Sequence, residues 1–235
     1  GNTDCGHFMR DDLTLQLAAA ELAPSAMNAR AAYEHEPDYR RILGLPANAF
    51  VHAHFRELIV LDDVGQNRFK RERYQAMRAR IRRAAPATTV AGVYVRRGRT
   101  GAARRLHNED AVEALLVRCG FVVVDPAVMS VDAMIAKMAD APVVVSLEGS
   151  QAAHGYFAMA DGGAVVVLQP PFRFNNVIKD FTDCVGLTYA FVVGRPAADG
   201  FVVDLDGLTR LLALLSSDKR ATEPRSPVPR PSLPA

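Results

Sequence analysis

Short Val-rich apolar runs alternate with amphipathic stretches along most of this chain, from residue 57 to residue 216. The alternation is the pattern of an α/β domain built on a parallel sheet. Several runs are continuously apolar, as expected for strands that helices cover on both faces. The predicted strands are residues 58–61, 89–95, 121–124, 143–147, 164–168 and 189–193. The predicted fold is therefore a Rossmann-like parallel sheet with flanking helices.

The helices between these strands are marked by apolar spacing and by residues typical of helix ends. One is predicted to be capped by Asn108 and to stop at Gly120, and a second is capped by Ser130. A last helix is predicted over residues 208–215. Each helix lies between two predicted strands or follows the last of them, which fits a sheet with crossover helices.

The two ends of the chain differ from this middle part. Residues 1–85 are predicted to form a partial, largely helical N-terminal domain, and residues 86–216 the Rossmann-like domain. Residues 217–235 are rich in Pro and Ser and are predicted to be a disordered tail. Because the chain begins without Met, we expect it to be a fragment.

Composition and charge restrict the classes of partner. The 28 basic residues and 26 acidic residues nearly cancel, and no nucleic-acid module is visible, so no nucleic-acid partner is predicted. No apolar run approaches the length of about 20 residues that spans a bilayer, and no signal peptide is recognisable. We expect a cytoplasmic protein, free or peripheral to a membrane. Its oligomeric state is left open.

A Gly- and Arg-rich loop follows the predicted strand that ends at residue 95. In open α/β sheets, ligands bind where strands end at their carboxyl edge. Arg97 and Arg105 can hold a diphosphate there through charge-assisted hydrogen bonds. Asn108 and Glu109 can bind ribose hydroxyls or orient the arginines. The alternative is a solvated basic loop.

A second turn follows the predicted strand 143–147 and leads into a helix of small residues. It contains Glu148, Gly149, Ser150 and Gln151, with His154 one turn further along. Gly149 allows a ligand to approach the backbone, and the N–H groups of a helix start favour an anion. The alternative is a tight turn in which Ser150 is an ordinary N-cap.

The N-terminal segment contains a candidate general base. His7 and Asp11 are four residues apart, so on a helix they share a face and can touch. A carboxylate that orients an imidazole is a usual arrangement for proton transfer. The alternative is a structural pair that ties the helix to a neighbour.

A further candidate contact follows the strand 164–168. Arg173 lies between Phe172 and Phe174 and can pack on a base or sugar ring, unless the aromatic side chains belong to the core. Elsewhere, His52 and His54 alternate without a third ligand at useful spacing, so no metal site is predicted.

Taken in order, these motifs resemble the family 61 glycosyltransferases, and among them the bacterial capsular polysaccharide type. The resemblance covers residues 6–193. The family segment GHF-x-x-D is matched by Gly6, His7, Phe8 and Asp11. The segment R…R-x-I-x-N-E is matched by Arg97, Arg105, Asn108 and Glu109, and GF-x-V-x-x-P by residues 120–126. An Ala-x-x-V-V strand then leads to the Gly-rich turn at Glu148, Gly149 and Ser150.

Two features depart from the family pattern. Many members have His-Gly-Ala at the Gly-rich turn, where this chain has Glu148-Gly149-Ser150. A carboxylate does not donate a hydrogen bond to phosphate as an imidazole does. The chain is also short for the family, whose members have more sequence before the GHF segment.

The resemblance implies a two-domain GT-B fold in which residues 86–216 bind a nucleotide-sugar donor and the N-terminal domain supplies acceptor groups. It implies an inverting, metal-independent glycosyltransferase that uses the nucleotide sugar as co-substrate and no cofactor. The acceptor would be a saccharide or glycan hydroxyl in polysaccharide or capsule biosynthesis. The sugar moved would be a hexose, a pentose or an N-acetylhexosamine.

In the expected mechanism, Arg97, Arg105 and the N–H groups after Gly149 neutralise the departing nucleoside diphosphate. Glu109 or Glu148 orients the donor through its hydroxyls. Asp11 or His7 deprotonates the acceptor. The remaining predicted donor contacts are Asn108, Ser150 and Gln151, with His154 and Arg173 as further donor or acceptor contacts.

Two other functions are compatible with parts of this sequence. One is a non-catalytic nucleotide- or sugar-binding subunit of a polysaccharide assembly complex, which the Glu148 departure and the short N-terminal part favour. The other is a dinucleotide-dependent oxidoreductase. No GxGxxG follows a strand in this sequence, and the oxidoreductase is therefore the weaker alternative.

Overall fold

The computed structural model of this protein describes residues 5–63, 65–97 and 104–222, with the backbone alone for 218–222. Helices and strands alternate through most of that part of the chain, as the sequence patterns predicted. In chain order the elements are α1 (Cys5–His7), a π-helical turn (Phe8–Asp12), α2 (Leu13–Ala20), β1 (Met27–Asn28), α3 (Glu36–Leu43), β2 (Ala49–Phe50), α4 (Arg68–Arg82), β3 (Gly92–Val95), β4 (Arg105–Leu106), α5 (Glu109–Arg118), β5 (Phe121–Val124), α6 (Val131–Met138), β6 (Val143–Leu147), α7 (Ala152–Ala158), β7 (Ala164–Gln169), α8 (Val177–Val185), β8 (Thr188–Val193), β9 (Arg195–Ala197), β10 (Gly200–Val202) and α9 (Leu205–Thr222).

The central sheet has five parallel strands in the order β5-β3-β6-β7-β8. Successive residues of a strand point to opposite faces. Val144 therefore packs with α6, α7 and α8 on one face, whereas Val145 packs with α5 and α9 on the other. The prediction of a parallel sheet covered by helices on both faces is confirmed.

The order of the strands fixes where a ligand can bind. The chain passes from β3 to β5 on one side of the sheet and then returns to β6 on the other side of β3. The connections that leave β3 and β6 therefore diverge and open a crevice at the carboxyl edge. In doubly wound sheets this switch point is the usual ligand site.

Five of the six predicted strands are present, and the one predicted at residues 58–61 is wrong. Residues 51–63 have no regular structure, and Val60 is 80% exposed. This segment has the apolar residues of a strand but pairs with none of the described strands. Strand propensity without a pairing neighbour does not form a strand.

Three predictions about helix ends have different outcomes. Ser130 caps α6 by accepting a hydrogen bond from the N–H of Ala133 (3.3 Å), as predicted. Asn108 does not cap α5; its amide instead exchanges two hydrogen bonds with the main chain of Val203. The last helix, α9, runs to Thr222, beyond the predicted end at residue 215, and the disordered tail stays a prediction. Residues 223–235 lie outside the described part of the chain.

The N-terminal helices and α4 share one hydrophobic core with the sheet face that carries α6, α7 and α8. Phe8, Tyr39 and Tyr74 are fully buried in this core together with Val93 and Val144. A boundary at residue 85 stays a prediction. Among the described residues, none of the helices combines the length and the hydrophobicity that a membrane span requires.

Helix α7 is held at its C-terminal end by a buried arginine. The Arg78 guanidinium donates hydrogen bonds to the carbonyl oxygens of Tyr156, Met159 (2.9 Å) and Ala160 (3.2 Å), and pairs with Asp161 (3.1 Å). The carbonyls of Tyr156 and Met159 lie at the end of α7, where a helix leaves such groups without intrahelical partners, whereas that of Ala160 also accepts from the N–H of Gly163 (3.3 Å). Arg78 is 1% exposed, so its charge depends on these contacts.

We expect Arg78→Met to destabilise the fold by about 3 kcal/mol, because it leaves buried carbonyl oxygens without donors. Urea denaturation followed by circular dichroism measures the change. The matched control is Arg83→Met at the exposed C-terminal end of α4, for which little change is expected. Equal losses of stability in the two variants would show that the capping contacts contribute nothing.

Candidate functional site

A cavity of about 700 Å³ opens at the switch point, where β3 and β6 end. Its walls come from α1, from the residues after β3 and β6, and from the loop after β7. Eight of the residues predicted from sequence line it: His7, Arg97, Glu148, Gly149, Ser150, Gln151, His154 and Arg173. Four do not: Asp11, Arg105, Asn108 and Glu109. Positions far apart in the sequence thus meet in one crevice.

The turn after β6 accommodates two arginine side chains because residue 149 is Gly. Gly149 has a φ of +152°, which side-chain-bearing residues rarely adopt. A Cβ at this position would collide with Nη1 of Arg97 and with the Gln151 side chain, and would lie 3.1 Å from Nη1 of Arg104. The backbone conformation therefore favours Gly at position 149, and a side chain there would displace the ends of the Arg97 and Gln151 side chains from the turn.

Two guanidinium groups converge on one carbonyl oxygen beside this turn. Nη1 of Arg97 (3.3 Å) and Nη1 of Arg104 (3.0 Å) both donate to the main-chain oxygen of Glu148. Arg97 also donates to Oε1 of Gln151 (3.1 Å), whose Nε2 is held by Ser146 Oγ (3.0 Å). The two cations are thus positioned by main-chain and amide groups of β6 and the turn that follows it.

The electrostatics of this pair favour an anion. Burial, and then the charge of the neighbouring Arg104, lower the pKa of Arg97. Burial lowers the pKa of Arg104 as well; the Glu148 carboxylate opposes this shift, and Arg173 makes a smaller contribution that lowers the pKa. Guanidinium groups stay charged in proteins, so the cost of burial is met by a negative partner. A diphosphate presents oxygens that suit the planar fork of each arginine.

Arg104, rather than the predicted Arg105, is the second arginine of the cavity. The side chain of Arg104 is 7% exposed and faces Glu148, whereas that of Arg105 is 66% exposed and pairs with Asp199 Oδ2 (3.0 Å). Consecutive residues of an extended segment point in opposite directions. Leu106 is buried, so the alternation places Arg104 on the inward side and Arg105 on the outward side. That register was readable in the sequence.

Asn108 and Glu109 also face away from the cavity. Asn108 binds the main chain of Val203, as described above, and Oε1 of Glu109 accepts a hydrogen bond from the buried Tyr94 hydroxyl (2.8 Å). Asn108 joins the start of α5 to the residue that follows β10, and Glu109 joins α5 to β3. Both side chains are thus bound within the fold, and neither is among the described residues that line the cavity.

The N-terminal segment packs directly on the Gly149 turn. A Cβ at Gly6 would lie 3.3 Å from atoms of Ser150, so these two backbones approach closely. His7 lines the cavity, and its Nδ1 lies 3.0 Å from Oδ2 of Asp11, as the spacing predicted. Asp11 stands behind the imidazole and also faces Nζ of Lys70 (3.5 Å). The imidazole is the member of the pair that lines the cavity.

The same segment provides a residue that sequence analysis missed. Arg10 lines the cavity and donates from Nε to the carbonyl oxygen of Gly6 (3.1 Å). It is three residues from His7, a spacing that places two side chains on one helical face. The helical spacing that paired His7 with Asp11 could also have indicated Arg10.

His154 is a buried, neutral residue at the back of the cavity. Its Nδ1 lies 2.6 Å from the hydroxyl of Tyr39, and its Nε2 lies 3.4 Å from Sγ of Cys5. Burial, and then the nearby His35, lower the pKa of His154 to about 3. At neutral pH it therefore adds no positive charge to the site. Its contacts join α7 to α3 and α1.

The loop after β7 contributes Arg173 to the rim. The side chain of Arg173 is about half exposed, and its Nε lies 3.9 Å from Oε2 of Glu148. Phe172 and Phe174 on either side are both exposed, so they do not belong to the core. In the described part of the chain, no three His, Cys, Asp or Glu side chains are grouped to hold a metal ion.

The family model described as glycosyltransferase 61 matches residues 5–167. No curated protein matches the chain at a significant level. The matched span runs from α1 into β7 and contains His7, Arg97, Arg104 and the Gly149 turn. Since this match covers more than half of the sequence and includes most of the cavity, the chain belongs to the glycosyltransferase 61 family.

Proposed function

We propose that this protein transfers a sugar from a nucleotide-sugar donor to a hydroxyl group of a saccharide or glycan acceptor. Family membership supports glycosyl transfer as the class of reaction. The observation that carries the choice of donor is the convergence of Arg97 and Arg104 on the Gly149 turn, in the cavity that His7 also lines. This arrangement provides charge for a leaving diphosphate and a base for an acceptor hydroxyl.

The leaving group is proposed to be stabilised by the arginines. As the bond from the anomeric carbon to the diphosphate breaks, negative charge develops on the phosphate oxygens. Arg97 and Arg104 are fixed before the reaction, so they can stabilise this charge without reorganising. Arg173 at the rim adds a third cation. Arg104 takes the role that sequence analysis gave to Arg105.

The base is proposed to be His7, oriented by Asp11. The hydrogen bond between Nδ1 and the Asp11 carboxylate leaves Nε2 to accept the proton of the acceptor hydroxyl. The acceptor oxygen then attacks the anomeric carbon while the diphosphate leaves from the opposite side. A single displacement of this kind inverts the anomeric configuration.

Further parts of the proposal rest on the sequence resemblance and on the chemistry of the lining residues. The positive charge of the arginines supports a metal-independent reaction, with the nucleotide sugar as co-substrate and no cofactor. The doubly wound sheet supports a donor domain of the GT-B type, with α1–α3 on the acceptor side. The motifs resemble those of capsular polysaccharide enzymes, so we propose a cytoplasmic role in polysaccharide or glycan synthesis.

A second candidate is a non-catalytic nucleotide-sugar-binding protein. The observation in its favour is the carboxylate of Glu148 beside the arginines, where many family members have His. Slow hydrolysis of a nucleotide sugar by the purified protein would support the enzyme. Donor binding without turnover on any acceptor would support the binding protein.

Arg97→Gln and Arg104→Gln are each expected to weaken binding of inorganic pyrophosphate by roughly 10- to 100-fold, because each removes a charge-assisted contact. Isothermal titration calorimetry measures the dissociation constants. Arg105→Gln is the matched control, since it removes the same charge outside the cavity. Equal weakening by Arg104→Gln and Arg105→Gln would contradict the assignment.

His7→Gln is expected to lower kcat by roughly 10²- to 10⁴-fold while donor affinity stays nearly constant, because the variant lacks a base. Asp11→Asn should lower kcat by a smaller factor, since the imidazole remains but loses its orienting carboxylate. Transfer assays with a donor and an acceptor found by screening measure both. Glu21→Gln, at the exposed end of α2, is the control. Unchanged turnover in His7→Gln would remove the base from the mechanism.

A further inference from the structure

Glu148 places a carboxylate among the cations of the proposed diphosphate site. Its side chain is 8% exposed, and Oε2 lies 2.9 Å from Nε of Arg104 and 3.9 Å from Nε of Arg173. Neither Oε2 of Glu148 nor Nε of Arg104 has a hydrogen bond of suitable geometry in the described part of the chain. Glu148 and Arg104 therefore form a close ion pair, but neither Oε2 nor Nε takes part in the hydrogen bond that it is able to form.

The charges around Glu148 explain why a carboxylate is stable there. Three lining arginines, Arg97, Arg104 and Arg173, face this end of the cavity. The other carboxylate among the described lining residues is Glu34, which is exposed. Two of the guanidinium groups are drawn together by the carbonyl oxygen of Glu148. Like charges at this separation repel, and a nearby carboxylate lowers that energy.

We propose that Glu148 is a resident counter-ion of the diphosphate site. Its carboxylate balances the positive charge of Arg104 and Arg173 between turnovers, and a bound diphosphate replaces it as their ionic partner. The inference rests on the proposed function, because it assumes that this site binds the diphosphate. The unsatisfied Nε of Arg104 is the group that gains most from the exchange. A phosphate oxygen can accept the directional hydrogen bond that Oε2 of Glu148 does not.

A resident counter-ion has a kinetic consequence. The free energy of diphosphate binding is the free energy of its contacts with the arginines, less that of the contacts which Glu148 must give up. Glu148 therefore weakens the binding of the nucleoside diphosphate product and accelerates its release. Product release limits turnover in many enzymes. The carboxylate would thus favour turnover at the expense of affinity for the product.

The alternative role for Glu148, binding of donor hydroxyls, predicts a different effect of its removal on ligand affinity. If the carboxylate accepts hydrogen bonds from ribose or sugar hydroxyls, its removal weakens binding of the nucleotide sugar and leaves inorganic pyrophosphate unaffected. If it is a counter-ion, its removal strengthens binding of pyrophosphate, which has no such hydroxyls. Inorganic pyrophosphate is therefore the probe that separates the two roles.

The experiment is a calorimetric titration of inorganic pyrophosphate into the wild-type protein, Glu148→Gln and Asp199→Asn. Gln has nearly the same shape as Glu, so the packing of the turn is kept. We expect Glu148→Gln to bind pyrophosphate about tenfold more tightly or better, because a competing charge is gone. Asp199→Asn is the matched control: it removes a carboxylate paired with Arg105 and His107 outside the cavity. It should change the affinity less than twofold.

A second measurement covers the stability of the variant. Without ligand, Glu148→Gln should have a lower melting temperature than the wild type, because the arginines lack their counter-ion until an anion binds. Added pyrophosphate should raise the melting temperature of this variant more than that of the wild type. Glu148→Asp, which keeps the charge but withdraws it from Arg104, should show a smaller effect in the same direction.

The outcomes separate this inference from the proposed function. Equal or weaker binding by Glu148→Gln, with binding retained by the wild type, overturns the counter-ion and leaves the diphosphate site intact. Loss of nucleotide-sugar binding in Glu148→Gln with unchanged pyrophosphate affinity assigns the carboxylate to donor hydroxyls, and also overturns it. Pyrophosphate binding by none of the three proteins removes the diphosphate site and the inference together.

Discussion

The burial of positive charge at the end of β6 is the constraint on which the site depends. Arg97 and Arg104 leave water, approach each other and donate to one carbonyl oxygen, that of Glu148. Such a pair is stable only where the backbone fixes it and negative groups compensate it. The sheet provides the fixed backbone: the connections leaving β3 and β6 diverge at this point, and the carbonyl oxygen at the end of β6 holds both guanidinium groups. Glu148 provides the negative group, and in the proposed reaction the diphosphate takes its place.

The second requirement is close packing of the N-terminal segment on this turn. Gly6 allows α1 to approach Ser150, and that approach brings His7 to the cavity. A neutral buried contact between Tyr39 and His154 secures the same interface. At its other end, α7 is held by Arg78. The proposed acceptor side and donor side are thus joined through one short helix, whose position determines how the base faces the anion site.

The use of arginine in this protein shows how context decides the role of a charge. Arg78 and Arg104 are both buried, but Arg78 satisfies carbonyl oxygens at a helix end and is structural. Nε of both side chains lacks a hydrogen bond among the described residues, but Arg104 borders the cavity and Arg78 does not. Arg105, its neighbour in sequence, pairs with Asp199 in water. Because the residue type is the same, the three roles differ only through the surroundings of each guanidinium: the protein groups that it contacts and the open space beside it.

The sequence by itself determined the layers of the fold, because burial of a parallel strand on both faces demands long apolar runs, and five such runs became strands. It also determined the motif order and the His7–Asp11 contact, since these depend on spacing within the chain. It did not determine that residues 58–61 would lack a strand partner or that Asn108 would bind Val203. Pairing of distant segments decides both. Only the tertiary structure decided that Arg104 and Glu148 meet in one crevice, because strand order and register, rather than sequence spacing, set which side chains share a space.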